Sequence, residues 1–218
     1  MRGRKKNPDT RAAILECASQ VFAEREYHEV LTDDIAGKLG IGKGTIYRYF
    51  ESKEELYFAT IIEGLEGMQE AIAASLQQPA PLAVVIERLV QTILEYFWTR
   101  RDFFILLHRH EPKLDPRERA EWQQRRDEVV DRVRDILESA LPRGSVGHKT
   151  PRLAVEILLG MIRSACLYRE ADDRLRPLAH LITTVFLNGI TASPASLTAI
   201  EPAARRSLAP VRGGRVRS

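Results

Sequence analysis

Cations, a hydroxyl and phenol rings are concentrated in the segment KGTIYRY, which runs from Lys43 to Tyr49. If this segment is helical, Ile46 and Phe50 lie four residues apart on one inner face. The outer face is then formed by Lys43, Thr45, Tyr47, Arg48 and Tyr49. Such side chains suit phosphate oxygens and the base edges of the major groove, which admits one helix. The segment therefore predicts a surface that contacts duplex DNA.

The residues before this segment predict how it is held. Thr32 suits the N-cap of a short helix, with Asp33 and Asp34 in the first turn, where carboxylates offset the positive end of the helix dipole. Gly40 stands where that helix must end in a left-handed conformation, and Ile41 fills the corner that follows. Two helices joined by a tight glycine turn form a helix-turn-helix unit.

Helices also flank this unit on both sides. Upstream, apolar residues recur at helical spacing from about Asp9 to Arg25, which predicts a helix that covers the other two. Downstream, Ser52 and Glu55 form a capping box, so a new helix is predicted from Lys53 to about residue 77. Its far half is expected to border any cavity in the remainder of the protein.

The segment GxxxGTIYRYFESKEEL, which starts at Gly40, resembles the signature of TetR-type one-component transcriptional regulators. The resemblance covers roughly residues 9–58. It implies an all-α homodimer whose three-helix head binds DNA and whose helical-bundle body binds a ligand and dimerises. It also implies that DNA contacts, mostly to the backbone, come from Thr32, Lys43, Gly44, Thr45, Tyr47, Tyr49 and Lys53. The alternative for each tyrosine is packing against the head's own core.

Four regions follow from these patterns. Residues 1–8 are predicted to be a basic flexible arm, with Arg2, Arg4, Lys5 and Lys6 suited to phosphate neutralisation. Residues 9–52 form the predicted DNA-binding domain and 53–191 the ligand-binding and dimerisation domain. Residues 192–218 lack apolar periodicity and are predicted to be a disordered basic tail, for which a nonspecific nucleic-acid role is the alternative.

Composition excludes several other classes of protein. The chain has 218 residues, of which 44% are hydrophobic, and a formal net charge of +3. No apolar run is long enough to span a bilayer, and the N-terminus lacks the apolar part of a signal peptide, so a cytoplasmic protein without membrane partners is expected. Cys17 and Cys166 lie in apolar helical patterns and suit core positions, with redox sensing as the alternative.

No catalytic motif emerges from the sequence. The five histidines show no metal-ligand spacing, and no nucleophile elbow or phosphate-binding loop is present. We therefore expect no catalytic residues, no metal and no cofactor. An all-α enzyme would require residues that converge from separate helices.

A ligand pocket is predicted between the helices of the body, where pockets in bundles usually form. The candidate lining residues are Phe97, Phe104, Leu107, Trp122, Arg126, Met161 and Arg163. For the apolar members, plain core packing is the alternative. Arg126 and Arg163 lie near apolar faces and must be paired, either with an anionic ligand or with a neighbouring carboxylate, which is slightly favoured.

The last two helices of the body carry more apolar surface than one core face needs, which predicts a dimer interface. The candidate residues are Leu158, Ile162, Leu178, Leu181, Ile182, Val185 and Phe186. The alternative is that both apolar faces belong to the core of one protomer. A two-fold dimer also matches a palindromic site, because each head reads one half-site.

Together these features predict a repressor that binds a palindromic operator and is released by a small hydrophobic or amphipathic effector. Filling the body cavity would tilt the helix from Lys53 as a lever and change the separation of the two heads. The alternative is an architectural DNA-binding protein without an effector, although DNA packaging needs no body of this size.

Overall fold

The computed structural model describes residues 7–109, 116–170 and 173–191. This part of the chain is all-α, as predicted, and contains no strand. Its helices are α1 (Pro8–Glu24), α2 (Thr32–Leu39), α3 (Lys43–Tyr49), α4 (Lys53–Ser75), α5 (Leu82–Thr99), α6 (Arg101–His108), α7 (Pro116–Ala140), α8 (Val146–Lys149), α9 (Pro151–Tyr168) and α10 (Leu175–Thr191), with a 3-10 turn at Tyr27–Glu29. Nearly all of the predicted arm and the whole predicted tail lie outside the described residues.

Helices α1, α2 and α3 pack together as the head. Asn7 caps α1 by accepting a hydrogen bond from the Asp9 amide at 3.0 Å. Gly40 ends α2 with a φ of 67°, the left-handed conformation predicted for it. The prediction for Thr32 was wrong in one respect, because Leu31 is the N-cap residue and Thr32 is the first residue of α2.

Helix α4 leads from the head into the body. The Ser52 hydroxyl accepts a hydrogen bond from the Glu55 amide at 3.1 Å, while the Glu55 carboxylate accepts one from the Glu51 amide. The helix continues without a break to Ser75. α4 packs against α1 in the head and against α5, α6 and α7 in the body.

The body is built by α5 to α10 around the outer half of α4, and its apolar core is continuous with that of the head. α10 lies along α5, and α9 contacts α5, α7 and α10. The segment from Pro142 to Thr150 contains the short helix α8, which Ser145 caps. No helix in the described part of the chain is long and apolar enough to cross a membrane.

Candidate nucleic-acid interface and body cavity

The outer face of α3 is exposed and the inner face is buried. Ile46 and Phe50 are each 1% exposed and form part of the head core. Lys43, Gly44 and Arg48 are exposed, and Tyr47 keeps 42% of its surface accessible. α3 therefore presents two cations, a phenol ring and a patch of bare backbone to solvent.

Two contacts orient this face from α2. The Lys43 ammonium donates to the Asp33 carboxylate at 2.8 Å, and this hydrogen bond raises the pKa of Lys43. The Tyr47 and Thr32 hydroxyls lie 3.1 Å apart, close enough for a hydrogen bond. Thr32 is only 5% exposed, so it acts on this surface by holding Tyr47. The Lys43–Asp33 pair is open to solvent and is held only weakly, so the ammonium remains available to phosphate.

Tyr49 does not lie on the exposed face. It is 7% exposed, and its hydroxyl accepts a hydrogen bond from the Asn7 amide at 2.8 Å. The prediction that Tyr49 belongs to the outer face of α3 is therefore wrong, because its side chain packs into the head, which is the alternative given for it above. Its contact with Asn7 fixes the start of α1 next to α3.

Lys53 also has an internal role that the sequence did not indicate. Its ammonium donates to the carbonyls of Tyr27 at 2.9 Å and Val30 at 3.1 Å, and it lies 4.1 Å from the centre of the Tyr27 ring. The turn before α2 is thereby tied to the start of α4. Most of the N–H donors of the ammonium are used inside the head. A substitution of Lys53 would therefore disturb the head as well as any contact with phosphate.

Gly44 is a glycine for which the folded chain gives no reason. A side chain at this position would meet nothing within 4 Å, and the residue does not lie in the left-handed region. A Cβ here would therefore fit the isolated protomer. Because glycine has no side chain, its backbone is exposed, and a partner molecule can approach the backbone closely at this position.

The start of α2 is fixed by electrostatic contacts. The Asp34 carboxylate accepts hydrogen bonds from the Leu31 amide at 3.1 Å and from the Arg25 guanidinium at 2.7 Å. The Leu31 hydrogen bond, followed by that from Arg25, lowers the pKa of Asp34. Because Arg25 directly follows α1, this pair joins the end of α1 to the beginning of α2.

A cavity of about 820 Å³ lies within the body. α4 and α5 supply an apolar wall that includes Leu65, Met68 and Phe97. α6, α7 and α9 supply basic side chains as well as apolar ones; the basic members of the lining are His108, Arg109, Arg119, Arg126 and Arg163. One acidic residue, Glu156, completes this polar side. The lining suits a molecule with an apolar body and an anionic end.

Five of the seven predicted pocket residues line this cavity, namely Phe97, Leu107, Trp122, Arg126 and Arg163. Phe104 and Met161 are corrections. Phe104 is 7% exposed and packs against the rings of Phe97 and His108, with centroids 5.0 and 4.4 Å away. Met161 packs against the apolar core and is not part of the lining. Periodicity identifies an apolar stripe without revealing which members face empty space.

The polar side of the cavity combines one paired arginine with one that the sequence analysis missed. The Arg126 guanidinium donates to the Glu156 carboxylate at 2.5 Å, which is the pairing with a neighbouring acid favoured above. The missed residue is Arg109, whose guanidinium reaches the end of α1. The last turn of α1 contains no basic residue, and no glycine follows it. This absence is a weak indication in the sequence that another element must cap the C-terminal end of α1.

The predicted dimer interface needs a larger correction. Leu158, Ile162, Ile182 and Phe186 are at most 5% exposed and belong to the core of the protomer, while Leu178 is partly buried against it. Leu181 and Val185 remain 58% and 55% exposed. On α9 the exposed apolar residues are instead Leu153 and Ile157, at 56% and 49%. We call these four exposed side chains the α9–α10 apolar face.

The described residues contain no group of three or more histidine, cysteine or acidic side chains that could hold a metal ion. Both cysteines are free thiols, and burial raises the pKa of Cys17 and that of Cys166, the latter to about 11. Thiols with raised pKa values are poor nucleophiles at neutral pH.

Comparison with known protein families identifies the family to which this chain belongs. The family description "Bacterial regulatory proteins, tetR family" matches residues 14–60, which contain the helix-turn-helix unit. The description "Tetracyclin repressor-like, C-terminal domain" matches residues 85–190 of the body. The chain belongs to the TetR family of transcriptional regulators, and these proteins are DNA-binding regulators rather than enzymes.

Individual relatives extend over most of the chain. The transcriptional repressor BepR of Brucella suis biovar 1 is 30% identical over 172 residues, which cover 71% of this chain and 77% of BepR. The transcriptional activator FasR of Mycolicibacterium smegmatis is 23% identical over 164 residues, which cover 75% of this chain and 74% of FasR. A crystal structure of FadR from Bacillus subtilis in complex with stearoyl-CoA matches with a TM-score of 0.68 at 18% identity, covering 82% of this chain and 98% of FadR.

Proposed function

We propose that this protein is a repressor that binds a palindromic operator as a homodimer and is released by an amphipathic effector. The observation that carries the proposal is the pairing of two features in one chain. The exposed cationic face of α3 suits DNA, and the body contains a cavity of about 820 Å³ that suits a small molecule.

Contact with DNA is supported by the chemistry of the α3 face. Lys43 and Arg48 provide cations for phosphate, Tyr47 provides an exposed ring and hydroxyl, and Gly44 allows the duplex backbone to approach closely. The sequence upstream of Asn7 carries four basic residues, which are Arg2, Arg4, Lys5 and Lys6. They would add affinity that depends on salt rather than on sequence.

Dimerisation is supported by the α9–α10 apolar face. Four large apolar side chains, each about half exposed on neighbouring helices, form a patch that a second copy of the chain would cover. A two-fold pair of heads matches half-sites that lie about 34–36 Å apart or a multiple of that distance.

An amphipathic effector is supported by the division of the cavity lining into an apolar wall and a basic side. The related FadR was crystallised with stearoyl-CoA, which is an amphipathic anion.

Release by the effector is supported by α4, which starts in the head and places Ile61, Leu65 and Met68 on the cavity. Ile72 lies in the far half of α4, which was expected to border the cavity, but it is buried and is not part of the lining, so we place sensing at the middle of α4.

Operator binding is tested with duplexes selected from random DNA by the full-length protein. Lys43→Ala should weaken binding and reduce the dependence of log affinity on log salt by about one unit, because one phosphate contact is lost. Lys149→Ala is the matched control, since it removes one exposed lysine from α8 in the body. Failure to enrich any palindrome would favour an architectural binder. Equal affinity of both variants and the parent would contradict the assignment of α3.

The dimer face is tested by sedimentation. Leu181→Glu should shift the protein from dimer to monomer, because a charge would have to be buried without a partner. Leu31→Glu is the control, because Leu31 is equally exposed at 59% but lies in the head. A dimer that survives Leu181→Glu, or that the control also disrupts, would contradict this interface.

A further inference from the structure

Arg109 joins the head to the cavity through a single side chain. It directly follows α6, and its guanidinium donates to the carbonyls of Phe22 at 2.7 Å, Arg25 at 2.9 Å and Ala23 at 3.3 Å. These carbonyls lie at the C-terminal end of α1. Arg109 is also one of the residues that line the body cavity.

The end of α1 depends on this contact. The last carbonyls of a helix have no partner within the helix, and a positive charge beside them also suits the negative end of the helix dipole. α1 has no basic residue in its last turn, and its C-cap residue Arg25 is extended rather than left-handed. The Arg25 side chain is turned toward α2, where it binds Asp34. Arg109 therefore provides a cap that α1 does not provide for itself.

Arg109 and Arg126 both line the cavity, but their hydrogen-bond partners differ. Arg126 is neutralised by Glu156. Within residues 7–109, 116–170 and 173–191, no carboxylate lies within ion-pair distance of Arg109, and all of its observed acceptors are uncharged carbonyls. Each of these bonds joins the charged guanidinium to an uncharged oxygen, whereas a carboxylate adds an opposite charge and can accept two parallel N–H bonds from the same guanidinium. A carboxylate in the cavity would therefore compete effectively with the α1 carbonyls.

We propose that the cavity binds amphipathic carboxylates and that Arg109 transmits their binding to the head, because its guanidinium turns from the α1 carbonyls to the ligand carboxylate. The apolar wall formed by Leu65, Met68 and Phe97 takes the hydrocarbon part. Loss of the cap frays the last turn of α1. Arg25 then loses its fixed position beside Asp34, which holds the start of α2. The inference rests on the proposal that this cavity is the effector site.

Hydrogen exchange on the full-length protein tests the proposal without DNA. The probes are octanoate, dodecanoate and hexadecanoate, each compared with the alcohol of equal chain length, which keeps the hydrocarbon and removes the charge. Carboxylates that raise the melting temperature should speed amide exchange in residues 20–25 by about tenfold, the equivalent of losing one hydrogen bond to a charged group. The alcohols should leave this segment unchanged.

Variants separate transmission from binding. Arg109→Gln should already show the faster exchange without ligand, and dodecanoate should add nothing further. Arg109→Lys retains the charge while providing fewer hydrogen bonds, so it should give an intermediate result even if the glutamine variant folds poorly. Arg101→Gln is the matched control, because it removes an exposed arginine from the other end of α6, away from the cavity lining. It should keep the parent's exchange rates without ligand and still respond to the carboxylate.

Three outcomes would overturn the inference. They are carboxylates that bind without changing exchange at the end of α1, alcohols that act as strongly as carboxylates, and an Arg109→Gln variant that still responds fully. Failure of every carboxylate to raise the melting temperature would overturn the ligand class as well. These experiments use no DNA, so their outcome is independent of operator selection. Failure of this inference can therefore be distinguished from failure of the proposed DNA binding.

Discussion

The head and the body fill space in opposite ways. In the head, Leu15, Ile35 and Phe50 are at most 1% exposed, and the lining of the body cavity includes no residue of α1, α2 or α3. In the body, a similar set of apolar helices leaves a cavity of about 820 Å³. The head is packed throughout, whereas the body leaves open space beside α4 and α5.

The glycines of the head and those of α4 differ in the opposite sense. A Cβ at Gly37, Gly42 or Gly44 in the head would meet nothing within 4 Å. In the body, a Cβ at Gly64 would lie 2.1 Å from the Phe103 ring, and one at Gly67 would lie 2.5 Å from the Tyr96 hydroxyl. α4 thus has a notch that α5 and α6 occupy. The body is tightly packed where α4 meets these helices and open beside them.

The largest expected effect compares two leucine truncations. Leu15→Ala removes a fully buried side chain from the head and should lower the free energy of unfolding by about 3–5 kcal/mol, because it creates a new void. Leu65→Ala enlarges a cavity that already exists, so it should lower the same quantity by only about 2 kcal/mol. Urea unfolding followed by circular dichroism measures both. An equal or larger loss for Leu65→Ala would break the comparison.

A second pair of substitutions concerns the glycines. Gly64→Ala should lower the free energy of unfolding by about 1–3 kcal/mol, because the Phe103 ring must move. Gly37→Ala lies on the exposed side of α2 and should raise it by about 0.5–1 kcal/mol, since alanine loses less conformational entropy in a helix. Thermal unfolding distinguishes the two signs. Stabilisation by Gly64→Ala would show that the notch in α4 is not tightly filled.

The features that sequence predicted well are those fixed by neighbours along the chain. Gly40 was found because a helix stop demands a left-handed residue, and the cap at Ser52 was found because its partner is three residues away. The buried face of α3 follows from the spacing of Ile46 and Phe50. Each of these inferences needs only local geometry.

The features that sequence misplaced depend on which elements meet. α9 is apolar on two sides, so spacing alone cannot decide that Leu158 is buried and Ile157 is exposed. Lys53 and Tyr49 carry groups that suit DNA, yet the fold brings backbone groups from distant residues to them first. Arg109 caps a helix that lies more than eighty residues upstream in the sequence, and the sequence contains no rule for that pairing.

The smallest effect concerns Glu63, which lies on α4 close to the junction of head and body. Burial is the main cause that raises the pKa of Glu63, with Glu16 and Glu66 adding to it and Arg100 and Arg11 opposing it. A raised pKa in the folded state means that ionisation is less favourable there than in the unfolded chain, so ionised Glu63 destabilises the fold at neutral pH. The penalty is relieved as the pH falls through the folded pKa, where Glu63 gains its proton.

Glu63→Gln should therefore stabilise the protein slightly at neutral pH, and the gain over the parent should shrink on acidification. Glu70→Gln is the control on the same helix, since it removes an exposed carboxylate and should bring no gain at neutral pH. Urea midpoints at neutral and mildly acidic pH measure the difference. A Glu63→Gln gain that grew on acidification would mean that the carboxylate is stabilised at the junction, and that the two regions are joined there by charge rather than by burial.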